Sequence, residues 1–130
     1  MLTKIKVSDY MSTNLVTFTE STNIFEAIKT MVKARITSAP VINEAGQIVG
    51  IFSERDCMNI AINATYNQVM GGSVGEYMSS QVVSIKAESS ILEVANRFNS
   101  SHIRSFPVYD DDGFVGMISR TDVLRAIAAF

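Results

Sequence analysis

The chain has few of the residues that catalytic and metal-binding proteins depend on. Its 130 residues include one cysteine, Cys57, and one histidine, so no internal disulfide can form. Neither a Cys–His pair nor a Ser–His–Asp set can be assembled convincingly, and no metal-ligand types have the spacing of a metal site. We therefore expect a protein that is not an enzyme and holds no metal, with Cys57 as a small apolar residue.

Long apolar runs and excess charge of either sign are also missing. No stretch approaches the roughly 20 apolar residues that a membrane span needs, and the N-terminus lacks the apolar core of a secretory signal. Because the net charge is −2, no overall positive field draws the chain to nucleic acid or anionic lipid. We expect a cytoplasmic, globular protein with no nucleic-acid or membrane partner.

What the chain does contain is an internal duplication. The segment VSDYMSTNLVTF (Val7–Phe18) recurs as VGEYMSSQVVSI (Val74–Ile85), and both halves keep Tyr-Met, Ser-x-Pro-Val and Gly-x-x-Ser-x-x-Asp in the same order. Chance similarity does not explain such agreement. The predicted repeats are residues 1–66 and 67–130, joined by NATYNQVMGGSV, whose Gly71-Gly72 pair indicates a hinge or turn.

Each repeat is expected to form the elements β-α-β-β-α. β-Branched residues predict a short strand near residues 15–18 and another near 82–85. Helical spacing of apolar residues predicts a helix after each strand. Capping boxes are expected at their starts, Asn23 with Glu26 and Ser90 with Glu93. A hairpin and a second helix follow in both halves. The fold class is therefore α/β (α+β), and two halves of about 60 residues each need one another to bury a sufficient core.

The repeated phrase Gly-x-x-Ser-x-x-Asp spans a strand end and a helix start. Ser53 and Ser119 take the N-cap positions, and Asp56 and Asp122 follow three residues later. A helix start carries unpaired N–H groups and partial positive charge, which favour a phosphate, and a carboxylate can accept two hydrogen bonds from a ribose diol. A plain helix cap explains each copy taken alone, whereas the duplication and its context favour a nucleotide.

The segments Ser-Ala-Pro-Val and Ser-Phe-Pro-Val offer an apolar slot for a base. Proline fixes its own backbone and keeps the residue before it extended. The free amides and carbonyls of these residues can then face a purine edge.

These residues together resemble the tandem CBS-domain family, a pair often called a Bateman module, here as a stand-alone protein of bacterial type. The resemblance rests on SAPVINEAGQIVGIFSERD and SFPVYDDDGFVGMISRTD, and it extends from Val7 to about Ala128. It implies two CBS repeats packed with pseudo-two-fold symmetry, with two clefts between them. It implies no cofactor, but a regulatory adenine nucleotide or adenosyl compound such as AMP, ADP, ATP, NAD or S-adenosylmethionine.

The resemblance also implies roles for individual residues. Asp56 and Asp122 are expected to bind ribose hydroxyls, and Ser53 and Ser119 to lie near phosphate. A basic phosphate contact is implied at Arg104 but has no basic counterpart in the first repeat, which makes the two clefts unequal. The full set of predicted nucleotide-binding residues is Ser53, Arg55, Asp56, Ser119, Arg120, Asp122, Arg104, Thr37, Ser38, Ala39, Pro40, Ser105, Phe106 and Pro107.

Two functions from different classes follow. The first is a regulatory sensor, in which a nucleotide between the repeats favours one orientation and signals to an effector protein. The second is a ligand-independent homodimerisation or protein-interaction module. It is favoured by wide apolar faces on the second helix of each repeat and by the terminal aromatic residue Phe130. A homodimer is compatible with both.

Overall fold

A computed structural model describes residues 1–68 and 71–130, which divide into two compact units. Residues 16–82 form one unit, called here the Asp56 unit, and residues 1–15 with 83–130 form the other, the Asp122 unit. Each unit thus combines the hairpin and helices of one repeat with the segment that leads into the other repeat.

The predicted boundary between the two repeats, at residues 66 and 67, falls inside the Asp56 unit. The compact units therefore differ from the sequence repeats, and the repeat boundary stays a prediction. In the joining segment, Val69 and Met70 lie outside the described residues. Gly71 and Gly72 are described, and Gly72 has a φ of +145°, a conformation that favours glycine. No helix in the described ranges has the length and apolar character to cross a membrane.

The Asp56 unit is built on a two-stranded antiparallel hairpin. Its elements are α1 (Ile24–Ala34), β1 (Ser38–Ile42), β2 (Ile48–Ser53), α2 (Glu54–Asn67) and the short α3 (Val74–Tyr77). The strand predicted near residues 15–18 is wrong as a regular strand. It is reduced to one parallel bridge, in which Phe18 pairs with Val41 beside β1.

The core of the Asp56 unit lies between its hairpin and its helices. The buried apolar residues are Phe18, Ile24, Ala27, Met31, Ala39, Val41, Phe52, Ile60 and Val74. Phe18 and Phe52 meet edge to face, with ring centroids 6.1 Å apart, a favourable aromatic geometry.

The Asp122 unit carries a three-stranded sheet in the order β3-β4-β5. Its elements are a 3-10 turn (Val7–Asp9), β3 (Ile85–Lys86), α4 (Ile91–Asn99), β4 (Ser105–Asp110), β5 (Gly113–Ser119) and α5 (Arg120–Ala128). β3 runs parallel to β4, and β4 pairs with β5 as an antiparallel hairpin. The strand predicted near residues 82–85 is confirmed only at its end, because β3 begins at Ile85.

The N-cap half of each predicted capping box is confirmed. The Asn23 side chain accepts hydrogen bonds from the backbone N–H groups of Phe25 (2.9 Å) and Glu26 (3.2 Å). The Ser90 side chain accepts from the N–H of Glu93 (3.1 Å). These caps satisfy backbone donors that the first turn of a helix leaves unpaired, so the start of each helix is set by its local sequence.

The glycine of the repeated phrase is explained by a crossing chain segment. In the Asp56 unit, Ser79 and Ile51 exchange two backbone hydrogen bonds of 2.9 Å each. A Cβ atom added at Gly50 would lie 2.5 Å from the Sδ of Met78 and 2.8 Å from the carbonyl oxygen of Ser79. Only glycine allows this close approach.

The same crossing recurs in the Asp122 unit. Ser12 and Met117 exchange backbone hydrogen bonds of 2.8 and 3.0 Å, and a Cβ atom at Gly116 would lie 2.7 Å from the carbonyl oxygen of Ser12. The Tyr-Met-Ser motif of each repeat therefore completes the unit that contains the glycine of the other repeat.

Candidate functional site

The first copy of the phrase forms a tight strand-to-helix corner at the junction of β2 and α2. Ser53 is extended (φ −120°, ψ 167°), and its side chain accepts a 3.4 Å hydrogen bond from the N–H of Asp56. In return, Oδ2 of Asp56 accepts from the N–H (2.8 Å) and the hydroxyl (3.1 Å) of Ser53. This reciprocal arrangement is a capping box, and it fixes the carboxylate at the helix start.

The start of β1 lies directly beside this corner. Ser38 is opposite Ser53 in the hairpin register, and the carbonyl oxygen of Thr37 accepts a 2.8 Å hydrogen bond from the N–H of Glu54. The structure therefore brings the predicted residues 37–40 next to the phrase. We call this set, Thr37–Pro40 with Ser53–Asp56, the Asp56 corner.

The second copy has the same geometry at the junction of β5 and α5. Ser119 is extended (φ −112°, ψ 167°), and its side chain accepts a 3.2 Å hydrogen bond from the N–H of Asp122. Oδ2 of Asp122 accepts from the N–H of Ser119 at 2.8 Å. Ser105 is opposite Ser119, and the N–H of Arg120 donates to the carbonyl oxygen of Arg104 at 3.2 Å. Residues 104–107 and 119–122 form the Asp122 corner.

The residues around the two prolines belong to the hydrophobic cores. Ala39, Pro40, Phe106 and Pro107 are almost completely buried. The Phe106 ring lies 4.7 Å from the ring of Phe98, inside the core of the Asp122 unit. These residues are buried as a whole, backbone included, and the carbonyl oxygen of Pro40 accepts a 3.0 Å hydrogen bond from the N–H of Phe18.

Arg120 binds the protein itself. Its Nη2 donates to the carbonyl oxygens of Phe98 (2.6 Å) and Ser101 (3.0 Å), and its Nε donates to that of Ile103 (3.2 Å). These carbonyls lie at and beyond the C-terminal end of α4, where acceptors are left unpaired. The sequence analysis places Arg120 among the nucleotide-binding residues, whereas in the structure its guanidinium is engaged with these carbonyls.

Burial and charge act in opposite directions on Asp56. Desolvation raises the pKa of the Asp56 carboxyl above its ordinary value, although the hydrogen bonds from Ser53 and the nearby charge of exposed Arg55 pull it down. The pKa of the neighbouring Cys57 thiol is raised by burial and by the Asp56 charge. Cys57 is therefore a neutral thiol at neutral pH, packed against the core of its unit.

The helix-cap interpretation of the repeated phrase is thus realised in both copies, but it leaves room for a ligand. An ionised carboxylate has about four acceptor positions, and the cap of Asp56 uses only Oδ2. Within the described part of the chain, Oδ1 of Asp56 has no hydrogen-bond partner, and no fully buried side-chain polar atom lacks one. Oδ1 is consequently reachable from solvent. No cluster of three His, Cys, Asp or Glu side chains suited to a metal ion occurs in residues 1–68 and 71–130.

Comparison with known proteins identifies the family. The family model described as "CBS domain" matches residues 7–63 and 74–129. The chain belongs to the CBS-domain family, and it carries two such domains in tandem. This confirms the resemblance carried by the repeated phrase and the Ser-x-Pro-Val segments.

Two curated relatives illustrate the range of proteins that contain similar CBS pairs. The chain is 30% identical over 115 residues to human 5′-AMP-activated protein kinase subunit gamma-3, which covers 83% of this chain but only 23% of that protein. It is 30% identical over 121 residues to the uncharacterized protein YlbB of Bacillus subtilis, covering 91% of this chain and 79% of that one.

Two solved CBS pairs carry ligands. CBSX2 from Arabidopsis thaliana, in complex with AMP, has 26% identity and a TM-score of 0.85, with 96% of this chain and 97% of that chain covered. The CBS domain pair of protein MJ0100, in complex with 5′-methylthioadenosine and S-adenosyl-L-methionine, has 27% identity and a TM-score of 0.79, with 95% and 96% covered.

Proposed function

We propose that this CBS pair is a regulatory, non-catalytic module that binds an adenosine-containing ligand and signals the bound state to an effector protein. The observation that carries the proposal is the solvent-reachable Oδ1 of Asp56, beside the N-terminus of α2, in a chain whose solved relatives hold AMP or adenosyl compounds. A carboxylate in this position suits a ribose diol, which donates two hydrogen bonds.

The ligands of the two solved relatives indicate which part of the ligand matters. AMP, 5′-methylthioadenosine and S-adenosyl-L-methionine share adenosine and differ at the 5′ position, and only AMP carries a phosphate. The shared part requires an acceptor for the ribose diol and backbone groups for the base. The carboxylate of Asp56 supplies the acceptor, and we infer that the base lies against the half-buried residues Thr37 and Ser38, where β1 begins.

Signalling by such a module is a population shift. A ligand changes the balance between two conformations only by its difference in affinity for them. We propose that adenosine binding at the corners alters the surface offered to the effector.

Thermal unfolding with a ligand panel tests the proposal. AMP, ADP, ATP, NAD, S-adenosylmethionine and 5′-methylthioadenosine are compared with 2′-deoxy-AMP, which lacks one hydroxyl of the diol. A ligand at about 100 times its Kd adds about 2.7 kcal/mol to the free energy of unfolding, a rise of several degrees in Tm for a domain of this size. Absence of a shift with every ligand at millimolar concentration would contradict ligand binding.

A second candidate function is ligand-independent homodimerisation, favoured by apolar side chains left exposed on the last helix of each repeat. Met58, Ile62 and Tyr66 recur every four residues along α2, and Leu124 and Ile127 are exposed on α5. Such a stripe is typical of a protein interface. Sedimentation velocity distinguishes this candidate: it requires a dimer whose affinity is unchanged by AMP, and a monomer at micromolar concentration would exclude it.

A further inference from the structure

The two aspartates differ in what faces their second carboxylate oxygen. Oδ1 of Asp122 accepts a 2.7 Å hydrogen bond from Nη1 of Arg125, one turn further along α5. The side chain of Asp122 is 10% exposed and that of Arg125 is 58% exposed, so the arginine covers the acid from the solvent side. Both oxygens of Asp122 are therefore occupied within the protein, Oδ2 by the cap and Oδ1 by Arg125.

The Asp56 corner has no such cover. Aligning the two phrases places Asn59 at the position that corresponds to Arg125. An asparagine carries no charge and is shorter, and Oδ1 of Asp56 has no partner among the described residues. The residue three positions after the aspartate thus decides whether the carboxylate is covered.

A second contact holds Arg125 in place. Its guanidinium carbon lies 5.7 Å from the centre of the Tyr10 ring, a cation–π distance. The corresponding tyrosine of the Asp56 unit is Tyr77, and its hydroxyl accepts a 2.9 Å hydrogen bond from Asn63 instead. The aromatic residue of the Tyr-Met-Ser motif therefore supports a cation in one unit and a neutral amide in the other.

We propose that the two corners are unequal ligand sites: Asp56 accepts the ribose diol directly, whereas Arg125 occupies the place of the diol on Asp122. This inference rests on the proposed function. A ribose at Asp122 has to displace a charge-assisted hydrogen bond, which weakens binding there by about 10- to 100-fold. Arg125 is thus an internal competitor that closes the second site at low ligand concentration.

Exchanging the two deciding residues tests this inference by isothermal titration with AMP. The wild-type chain is expected to bind one AMP tightly, and Asp56→Asn is expected to weaken that site by about tenfold or more, whereas Asp122→Asn leaves it unchanged. Arg125→Asn opens the second corner and gives two AMP per chain. Asn59→Arg places a guanidinium one turn from Asp56 and weakens the tight site by a similar factor.

Control variants separate these effects from changes in overall charge or folding. Lys29→Asn repeats the charge change of Arg125→Asn on the exposed face of α1, and Asn96→Arg repeats that of Asn59→Arg on α4. Both are expected to titrate as the wild type does. Thermal unfolding of each variant establishes that it is folded, and the asparagine at position 56 keeps an oxygen that can accept the cap.

The outcomes distinguish the two claims. Two equal sites in the wild type, or tight binding lost in Asp122→Asn and kept in Asp56→Asn, would overturn the inequality and leave the proposed function standing. If neither the wild type nor Arg125→Asn gave a heat of binding with AMP, both the inequality of the corners and the proposed function would be contradicted. One tight site that follows Asp56, with a second site gained in Arg125→Asn, supports both.

Discussion

The Asp56 and Asp122 corners share a backbone and differ in charge. In both, an extended serine caps the helix, and Oδ2 of the aspartate accepts a hydrogen bond from the N–H of that serine. In both, the first strand of the hairpin begins beside the corner. At the variable positions of the phrase, Glu54 is replaced by Arg120, and three residues after the aspartate Asn59 is replaced by Arg125. The residues that recur in both copies build the corner, and the residues between and after them set its charge.

Each residue that recurs in the motif has a structural role. Glycine is required where a neighbouring segment crosses the strand, and serine and aspartate close the capping box. Such a corner forms whether or not a ligand exists. In each corner the cap uses Oδ2 of the aspartate and leaves Oδ1 for other partners. Among the described residues, Oδ1 of Asp122 is bound by Arg125, whereas Oδ1 of Asp56 has no partner.

The largest expected effect tests the shared architecture of the two corners. Gly50→Ala and Gly116→Ala each place a Cβ atom within 2.8 Å of a backbone carbonyl oxygen, so each is expected to lower the free energy of unfolding by about 1–3 kcal/mol. Urea denaturation measures the change. The control is Gly71→Ala, where a Cβ meets nothing within 4 Å. A loss at one glycine and not at the other would show that the two crossings are not equivalent.

A smaller effect tests a difference between the corners. Arg120→Met removes three hydrogen bonds to the carbonyls at and beyond the end of α4 and the contact with the Phe98 ring. Because the guanidinium is partly exposed, we expect a loss of about 1–2 kcal/mol in the free energy of unfolding. Lys33→Met, an exposed change on α1, is the matched control. If Arg120→Met unfolded at the same urea concentration as the wild type, the hydrogen bonds of Arg120 to these carbonyls would not contribute to stability.

The smallest effect concerns protonation of Asp56. Burial raises the pKa of this carboxyl in the folded chain above its ordinary value of 3.8. The folded state therefore binds the proton more tightly than the unfolded state, and as pH falls through the raised pKa the wild type gains stability relative to Asp56→Asn. Urea denaturation of both proteins from about pH 7 to about pH 4 measures this difference. A wild type that loses stability relative to Asp56→Asn over that range would contradict the direction of the shift.

Much of the fold was readable from the sequence because its signals are local. The hairpins around the Gly-bearing turns and the helices with their Asn23 and Ser90 caps follow from short motifs and spacing, whereas the family was indicated by a resemblance to known CBS pairs. The absence of a regular strand near residues 15–18 could not be predicted from the sequence. Phe18 bonds only to the carbonyl of Pro40 and the N–H of Ile42 along the edge of β1. β-Branched composition does not reveal how many partners a segment finds.

The sequence also could not predict that the N-terminal segment of each repeat, with its Tyr-Met-Ser motif, joins the unit that contains the hairpin of the other repeat. Periodicity shows that the Tyr-Met-Ser motif is repeated, but it carries no information on which hairpin each copy joins. For the site, the phrase predicted the corners and their caps. The pairing of Asp122 with Arg125 had a readable signal, an acid and a base three residues apart on one helix. The role of Arg120 depends on the tertiary position of the end of α4 and had no such signal.

A crystal structure of the chain with AMP at a concentration that fills only the tighter site would show which aspartate binds the ribose. We expect ribose hydroxyls within hydrogen-bond distance of Oδ1 of Asp56, with Arg125 still bound to Asp122. A ribose bound to Asp122 with Arg125 displaced, and an empty Asp56 corner, would contradict this expectation.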